Sequence, residues 1–388
     1  MNTLDLAKLL FNTIALAVLW LNCVAAEPSP ATPDIRERSR TRFGPPPQAV
    51  TDPNSGIAGA VLHEAGTGGQ DWHPALNDPE WRRAAEADHI RAEDPIAGLS
   101  LHGKSWAIPL SVLMMPHMAN LTLDGEPVLV TYCFKCRSAI ARTPVVDGRR
   151  LTFHLAGIFN GSILITDEQT KSYWTPFTGE ALEGALKGAT LKQVPLTPCR
   201  WSQWVQMHPD TLVADPTENL RARYAKAQSP GSRRSARSFL QFLVQPLDDR
   251  LRFDDMVLGV TVGDTTRAYP LAAMDERATE GQQSIALEET LGNEPIVILH
   301  QRDSLLTTAF SRRFRGKTLQ FITDRDGRFV DSAYRSRWNF DGEALDGAVA
   351  GQKLTDIPSQ LEEWYIWAAF YPTTSVYENP SSAHSGAP

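Results

Sequence analysis

The feature that most constrains this chain is that its body is written twice. Residues 98–110 (GLSLHGKSWAIPL) align with 259–271 (GVTVGDTTRAYPL), and 126–130 (EPVLV) align with 294–298 (EPIVI). Residues 148–153 (GRRLTF) align with 316–321 (GKTLQF), and 179–185 (GEALEGA) with 342–348 (GEALDGA). The last register runs on without a gap. It pairs Gly188 with Gly351, Leu191 with Leu354 and Pro195 with Pro358. It then pairs Trp201 and Trp204 with Trp364 and Trp367, and Pro209, Thr211 and Val213 with Pro372, Thr374 and Val376. Self-similarity of this kind sets the architecture before any local reading does. The expected organisation is a first unit at 94–215, a linker at 216–254 and a second unit at 255–378.

Each unit reads mainly as strands. Ile96 to Leu101 and Val257 to Val262 are β-branched or apolar runs that end in a Gly-containing turn. Pro127 to Tyr132 and Pro295 to Leu299 are continuous apolar runs, the pattern of buried strands. Residues 145–153 form a hairpin signal with Asp147-Gly148 at its turn. Short helices are expected after Pro109 and after Pro198, the second ending before Pro209. An earlier helix is expected over 78–93, where helix formers follow Asn77-Asp78-Pro79. The fold class predicted is α+β: two tandem homologous units of mainly antiparallel sheet with short helices. The Trp201/Trp204 and Trp364/Trp367 pairs are expected to pack on their own sheets as core.

The remaining segments read differently. Residues 9–26 are apolar, with Lys8 before them and Val24 and Ala26 at the −3 and −1 positions of a cleavage site, which reads as a secretory signal peptide. A membrane anchor formed by the same residues is the alternative. Residues 27–93 are expected to hold a Pro-rich arm and the helix, and 379–388 a flexible tail. The basic run 221–237 reads as a solvated connector. With 38 basic and 45 acidic residues the net charge is −7, which argues against general nucleic-acid binding. A small-molecule substrate or an envelope partner is left open. There is no G-x-G-x-x-G after a strand, no P-loop, no H-E-x-x-H and no G-x-S-x-G, so the common nucleotide, zinc-protease and hydrolase readings fall away.

Chemistry concentrates at Cys133-Phe-Lys-Cys136, where a buried strand leaves its sheet. This spacing can bind a soft metal such as copper or zinc, with His117 the first candidate for a further ligand. His102, His154, Met114, Met115 and Cys199 are weaker candidates, and Met118 also flanks His117. The same spacing supports a thiol-disulfide oxidoreductase, with Cys133 as nucleophile, Cys136 as resolving thiol and Lys135 or Arg137 favouring the thiolate. It also suits a binding module with an inert structural disulfide. The duplication is an internal control: the aligned residues are Gln301-Arg-Asp-Ser304, and no histidine lies between Leu271 and Glu294. The cysteines are therefore not a general requirement of the repeated unit. Asp167, Glu168 and Glu180 are acidic residues beside the Lys171–Trp174 and Gly179–Leu182 segments, and Glu180 recurs as Glu343, which points to a structural role.

Residues 131–139 (TYCFKCRSA) resemble the bacterial domain-of-unknown-function 3179 family, whose signature is Thr-Tyr-Cys-x-x-Cys-x-Ser. The resemblance extends through Ala107-Ile-Pro-Leu110, Lys171-Ser-Tyr-Trp174, Gly179-Glu-Ala-Leu182, Trp201-x-x-Trp204 and His208-Pro209. It covers at least 94–215 and, more weakly, the second unit. It implies membership and supplies no reaction. It also implies a histidine near the end of the helix after Ala-x-Pro-Leu, where His117 stands. The reading is an exported cell-envelope protein whose Cys133/Cys136 site binds copper or zinc or carries redox chemistry.

Overall fold

The computed structural model describes residues 63–64, 73–215, 244, 247–324 and 326–379. The expected signal peptide, most of the Pro-rich arm, the basic run and the tail lie outside the described residues. The fold is mostly β-sheet, largely antiparallel. Its described helices are short: Leu110–Leu113, Trp201–Met207, Leu271–Arg277 and Trp364–Phe370. That is the α+β class, with sheet dominant. None of these helices is long and apolar enough to cross a membrane.

One strand order recurs. In the first half, strand Thr197–Arg200 pairs with Pro95–Leu101, which pairs with Lys104–Pro109, which pairs in parallel with Leu212–Asp215. In the second half, Ser359–Glu363 pairs with Met256–Val262, then Thr265–Pro270, then in parallel with Ser375–Val376. The registers agree as well. Ile96 faces Pro109 as Val257 faces Pro270, and Cys199 faces Ile96 as Glu362 faces Val257.

The tryptophans explain the repeated Gly at 98 and 259. A Cβ on Gly98 would lie 2.3 Å from the Trp204 ring, and one on Gly259 would lie 2.2 Å from the Trp367 ring. Each indole therefore packs flat on the bare backbone of its own sheet. Each also donates from Nε1 to a threonine hydroxyl, Trp204 to Thr211 and Trp367 to Thr374, both at 2.9 Å. A buried indole N–H needs such a partner.

A second paired feature is built on aspartate. Asp167 is fully buried, and its Oδ2 accepts from Trp174 Nε1 at 3.0 Å and from the Ser172 amide at 3.1 Å. Asp331 holds Trp338 Nε1 at 2.9 Å and the Ser336 amide at 3.0 Å in the same way. Asp167 is thus a loop clamp. Glu180 likewise forms an isolated bridge to Thr190, matched by Glu343 to Lys353.

The expected helix over 78–93 does not form. Residues Glu80–Arg83 make a strand, followed by a single 3-10 turn at Ala84–Glu86. The cause is tertiary: Leu212–Asp215 would be a sheet edge, and Glu80–Arg83 pairs with it antiparallel. Edge pairing satisfies a row of backbone groups that local helix propensity cannot. The helix after Pro109 is also shorter than its sequence suggests, because the chain turns at His117 into strand Met118–Leu123. The 145–153 hairpin forms as expected, with Asp147 at φ 50° and Gly148 at φ 74°.

Because the Trp367 ring leaves no room for a methyl group, Gly259→Ala should lower stability by about 1–3 kcal/mol, the usual cost of overpacking. A shift in the denaturant midpoint at unchanged slope checks this. Wild-type stability would show that the ring moves aside freely.

Candidate functional site at the cysteine hairpin

Strand Glu126–Cys133 turns through four residues into strand Ser138–Arg142. In the ladder Cys133 faces Ser138, and Leu129 faces Arg142. Directly opposed residues share a face, so Cys133, Ser138, Ile140 and Arg142 all project to one side. Arg137 turns the chain at φ 54°. Cys133 and Cys136 are joined as a disulfide. Both cysteines are buried, Cys133 keeping 6% exposure and Cys136 none, so Cys133 is the one nearer the surface. Cys136 Sγ lies 3.6 Å from Gly161 O and 3.9 Å from Ser162 Oγ.

The same hairpin forms in the second half without cysteines. Glu294–Gln301 pairs with Thr307–Ser311, and Val297 faces Phe310 where Leu129 faces Arg142. Gln301 and Ser304 hold the places of Cys133 and Cys136. Their side chains accept from Gln203 Nε2, at 3.0 and 2.9 Å.

His117 sits beside the disulfide turn. Its ring stacks on Phe134, between the cysteines, at 5.4 Å between centroids, and it meets His73 edge-on at 5.0 Å. Its Nδ1 lies 3.2 Å from the carbonyl of Tyr132, the residue before Cys133, and donates to it. Burial first, and then the neighbouring His73, push its pKa down to about 3. The ring is neutral at ordinary pH.

The other sequence candidates are dispersed. His154 pairs with Glu168, and His102 with Asp124 at 3.6 Å. Met114 and Met118 fill two different cores. Met115 gives its carbonyl to His73 Nδ1 at 2.6 Å. Cys199 is a buried free thiol whose pKa burial pushes well up, which makes it inert. Among the described residues no group of three or more His, Cys, Asp or Glu side chains is placed to hold a metal ion. With both sulfurs bonded to each other, the proposed set of Cys133, Cys136 and His117 does not fit copper or zinc in this state.

The site has a wall that the sequence motifs do not announce. Strand Ser359–Glu363 of the second half packs on Ser138–Arg142. The Glu363 amide donates to Cys136 O at 3.3 Å, and Tyr365, Ile366 and Phe370 enter the cysteine core. Leu361 points into the second-half core, so Gln360 and Glu362 point the other way, at the hairpin. Glu362 is fully buried, and its carboxyl oxygens lie beside Gln360 and Ser138 without either reaching full hydrogen-bond geometry. Burial raises its pKa well above the usual carboxylate range, while Gln360, Ser138 and Arg142 pull it partly back. The Ser138 hydroxyl and the Gln360 amide are also buried, and neither meets full hydrogen-bond geometry with a partner. Arg142 spends its donors on the carbonyls of Pro176, Leu191 and Phe177, and burial pushes its pKa down to about 10. Gly179 makes room for it: at φ 79°, a Cβ there would lie 2.7 Å from Leu191 O and 3.0 Å from Arg142 Nη1.

The His117 shift predicts acid sensitivity. Its folded pKa is depressed, so the unfolded chain binds the proton more tightly. The contribution is fully present above about 6.5 and is lost as pH falls toward about 3. Between pH 6.5 and 4.5 the loss is about 2–3 kcal/mol at 1.36 kcal/mol per pH unit. His117→Gln should lose correspondingly less over that range in denaturant titrations. Parallel losses in both proteins would contradict the assignment.

A family model for proteins of unknown function, DUF3179, matches residues 70–374. No curated protein and no solved structure matches the chain.

Proposed function

The chain belongs to the DUF3179 family of proteins of unknown function, and we propose that its Cys133–Cys136 pair is an exchangeable dithiol–disulfide. One observation carries the reading: the hairpin at 294–301 and 307–311 adopts the same register with Gln301 and Ser304 in place of the cysteines. The fold does not require the sulfurs there. A staple role is also weak on physical grounds. Closing a four-residue loop removes little chain entropy, worth about 2 kcal/mol on the loop-length relation. The recurring strand order, the two Trp–Thr pairs and the two Asp–Trp clamps support a further part of the proposal, that the halves are tandem copies and the second is the degenerate one. A cell-envelope location, suggested by residues 9–26, suits a protein that cycles a disulfide.

The test is a thiol count on the native chain before and after a mild dithiol, with metal analysis of both samples. Two thiols should appear on reduction without unfolding. The Cys133→Ser/Cys136→Ser variant should fold within about 2 kcal/mol of wild type and release none. A pair that resists reduction until the chain unfolds would refute the proposal. One zinc or copper per reduced chain, absent from the double variant, would favour the soft-metal reading instead.

A further inference from the structure

The two halves bury different chemistry at one repeated contact. In the first half's hairpin the strand 138–142 is covered by 359–363. In the second half's hairpin the strand 307–311 meets 197–200. Sequence alignment places Glu362 where Cys199 stands, Ser138 where Leu306 stands and Arg142 where Phe310 stands. Cys199 and Leu306 share an apolar core. The corresponding place beside the disulfide holds a carboxyl, a hydroxyl and a guanidinium, all buried. A buried unpaired carboxyl and hydroxyl cost free energy that an apolar pair would not. The polar set therefore accompanies the cysteines and is not needed for packing.

We propose that Glu362 is the proton reservoir of the Cys133–Cys136 pair, acting through the Ser138 hydroxyl; this rests on the dithiol reading above. The geometry places Ser138 directly across the ladder from Cys133 and on the same face, with Glu362 over that face. The need follows from burial. A thiol of a reducing dithiol substrate attacks Cys133 Sγ as its thiolate, forming a substrate–Cys133 disulfide and breaking the Cys133–Cys136 bond. Cys136 leaves with the electron pair into a site with no solvent exposure. A thiolate there is costly. The Glu362 carboxyl supplies the proton, by way of the Ser138 hydroxyl beside it and with Ser162 Oγ 3.9 Å from Cys136 Sγ. The new carboxylate faces Arg142, whose positive charge compensates it. The second substrate thiol then closes the substrate disulfide and releases Cys133 as a thiol. The sum is one disulfide reduced, one dithiol oxidised, and two electrons and two protons transferred. Gln360, two residues before Glu362 on the same face of the strand, lines a cavity of about 420 Å³, wide enough to admit water, while Glu362 itself lies behind it, fully buried. The charged and titratable groups acting on Glu362 are Arg142 from strand 138–142 and Tyr371 beyond helix Trp364–Phe370, with Glu363 adjacent in its own strand.

The test is the rate of reduction by dithiothreitol from pH 5 to 9, quenched by alkylation and corrected for the reagent's thiolate fraction. Wild type, Glu362→Gln, Glu362→Asp and Ser138→Ala are compared as full chains. Glu362→Gln should slow reduction at pH 7 by about a hundredfold, the low side of general-acid effects, and flatten the pH profile. Glu362→Asp should restore part of both. Ser138→Ala should move rate and profile in the same direction as Glu362→Gln, and it decides the matter if the glutamine variant does not fold. Wild-type rate and profile in Glu362→Gln and Ser138→Ala would overturn the role of Glu362 while leaving the dithiol intact. A wild-type protein that dithiothreitol cannot reduce without unfolding would instead remove the dithiol reading itself.

Discussion

The site depends on one packing contact, strand Ser359–Glu363 lying on strand Ser138–Arg142. Residues that follow it in sequence, Tyr365, Ile366 and Phe370, complete the core in which Cys136 is buried. Phe370 stacks on Phe177 at 4.5 Å, locking the end of that helix into the first half. The contact is reciprocal. The helix Trp201–Met207 reaches the second half's hairpin through Gln203, and Leu306 enters the core around Trp204. Each half thus covers the turn of the other. Neither hairpin is enclosed by its own half alone, and the disulfide exists only as part of an interface between them.

That arrangement explains how a carboxyl comes to be buried beside the disulfide. A charge carried on the hairpin's own strands would be placed there by its own half alone. Glu362 is delivered by the other half, alternating with Leu361, which anchors the strand in the second core. The strand is held by its apolar residue and by its ladder to Met256–Val262. This leaves Gln360 and Glu362 free to vary without loss of the sheet. The same reasoning applies to Arg142, whose neighbouring glycine at 179 creates its space, while Gly342 makes the equivalent room for the Phe310 ring at 2.6 Å. One backbone frame accommodates a cation in one half and an aromatic ring in the other.

Much of this was legible in the residues, and the failures have physical causes. The strands at 96–101, 127–132, 257–262 and 295–299 follow from apolar runs and Gly turns, and the structure extends each by one to three residues. The Trp201–Met207 helix follows from Pro198 before it and Pro209 after it. Residues 80–83 misled because a strand edge outcompeted local helix propensity, and no window of sequence contains that edge. Asp167 stands out in sequence as an acidic residue near the family motifs, and it is a loop clamp. Its twin at Asp331 lies in a stretch with almost no other identity, so the match escapes notice until Ser172–Trp174 and Ser336–Trp338 are seen held alike. His117 was legible as a neighbour of the cysteines, and its stacking on Phe134 places it there. The polar wall was not legible as a site, because Ser138, Arg142 and Glu362 belong to no motif. The signal lay in the aligned segments of the two halves, in polar residues whose aligned partners Leu306, Phe310 and Cys199 are apolar.

The central claim is that the cysteine pair exchanges electrons and does not serve as a staple. The most direct measurement is its equilibrium reduction potential in the intact chain, poised against a dithiol couple of known potential. The account predicts a value above about −300 mV, in the range of exchangeable protein disulfides. A value below about −300 mV, where structural disulfides lie, would contradict it.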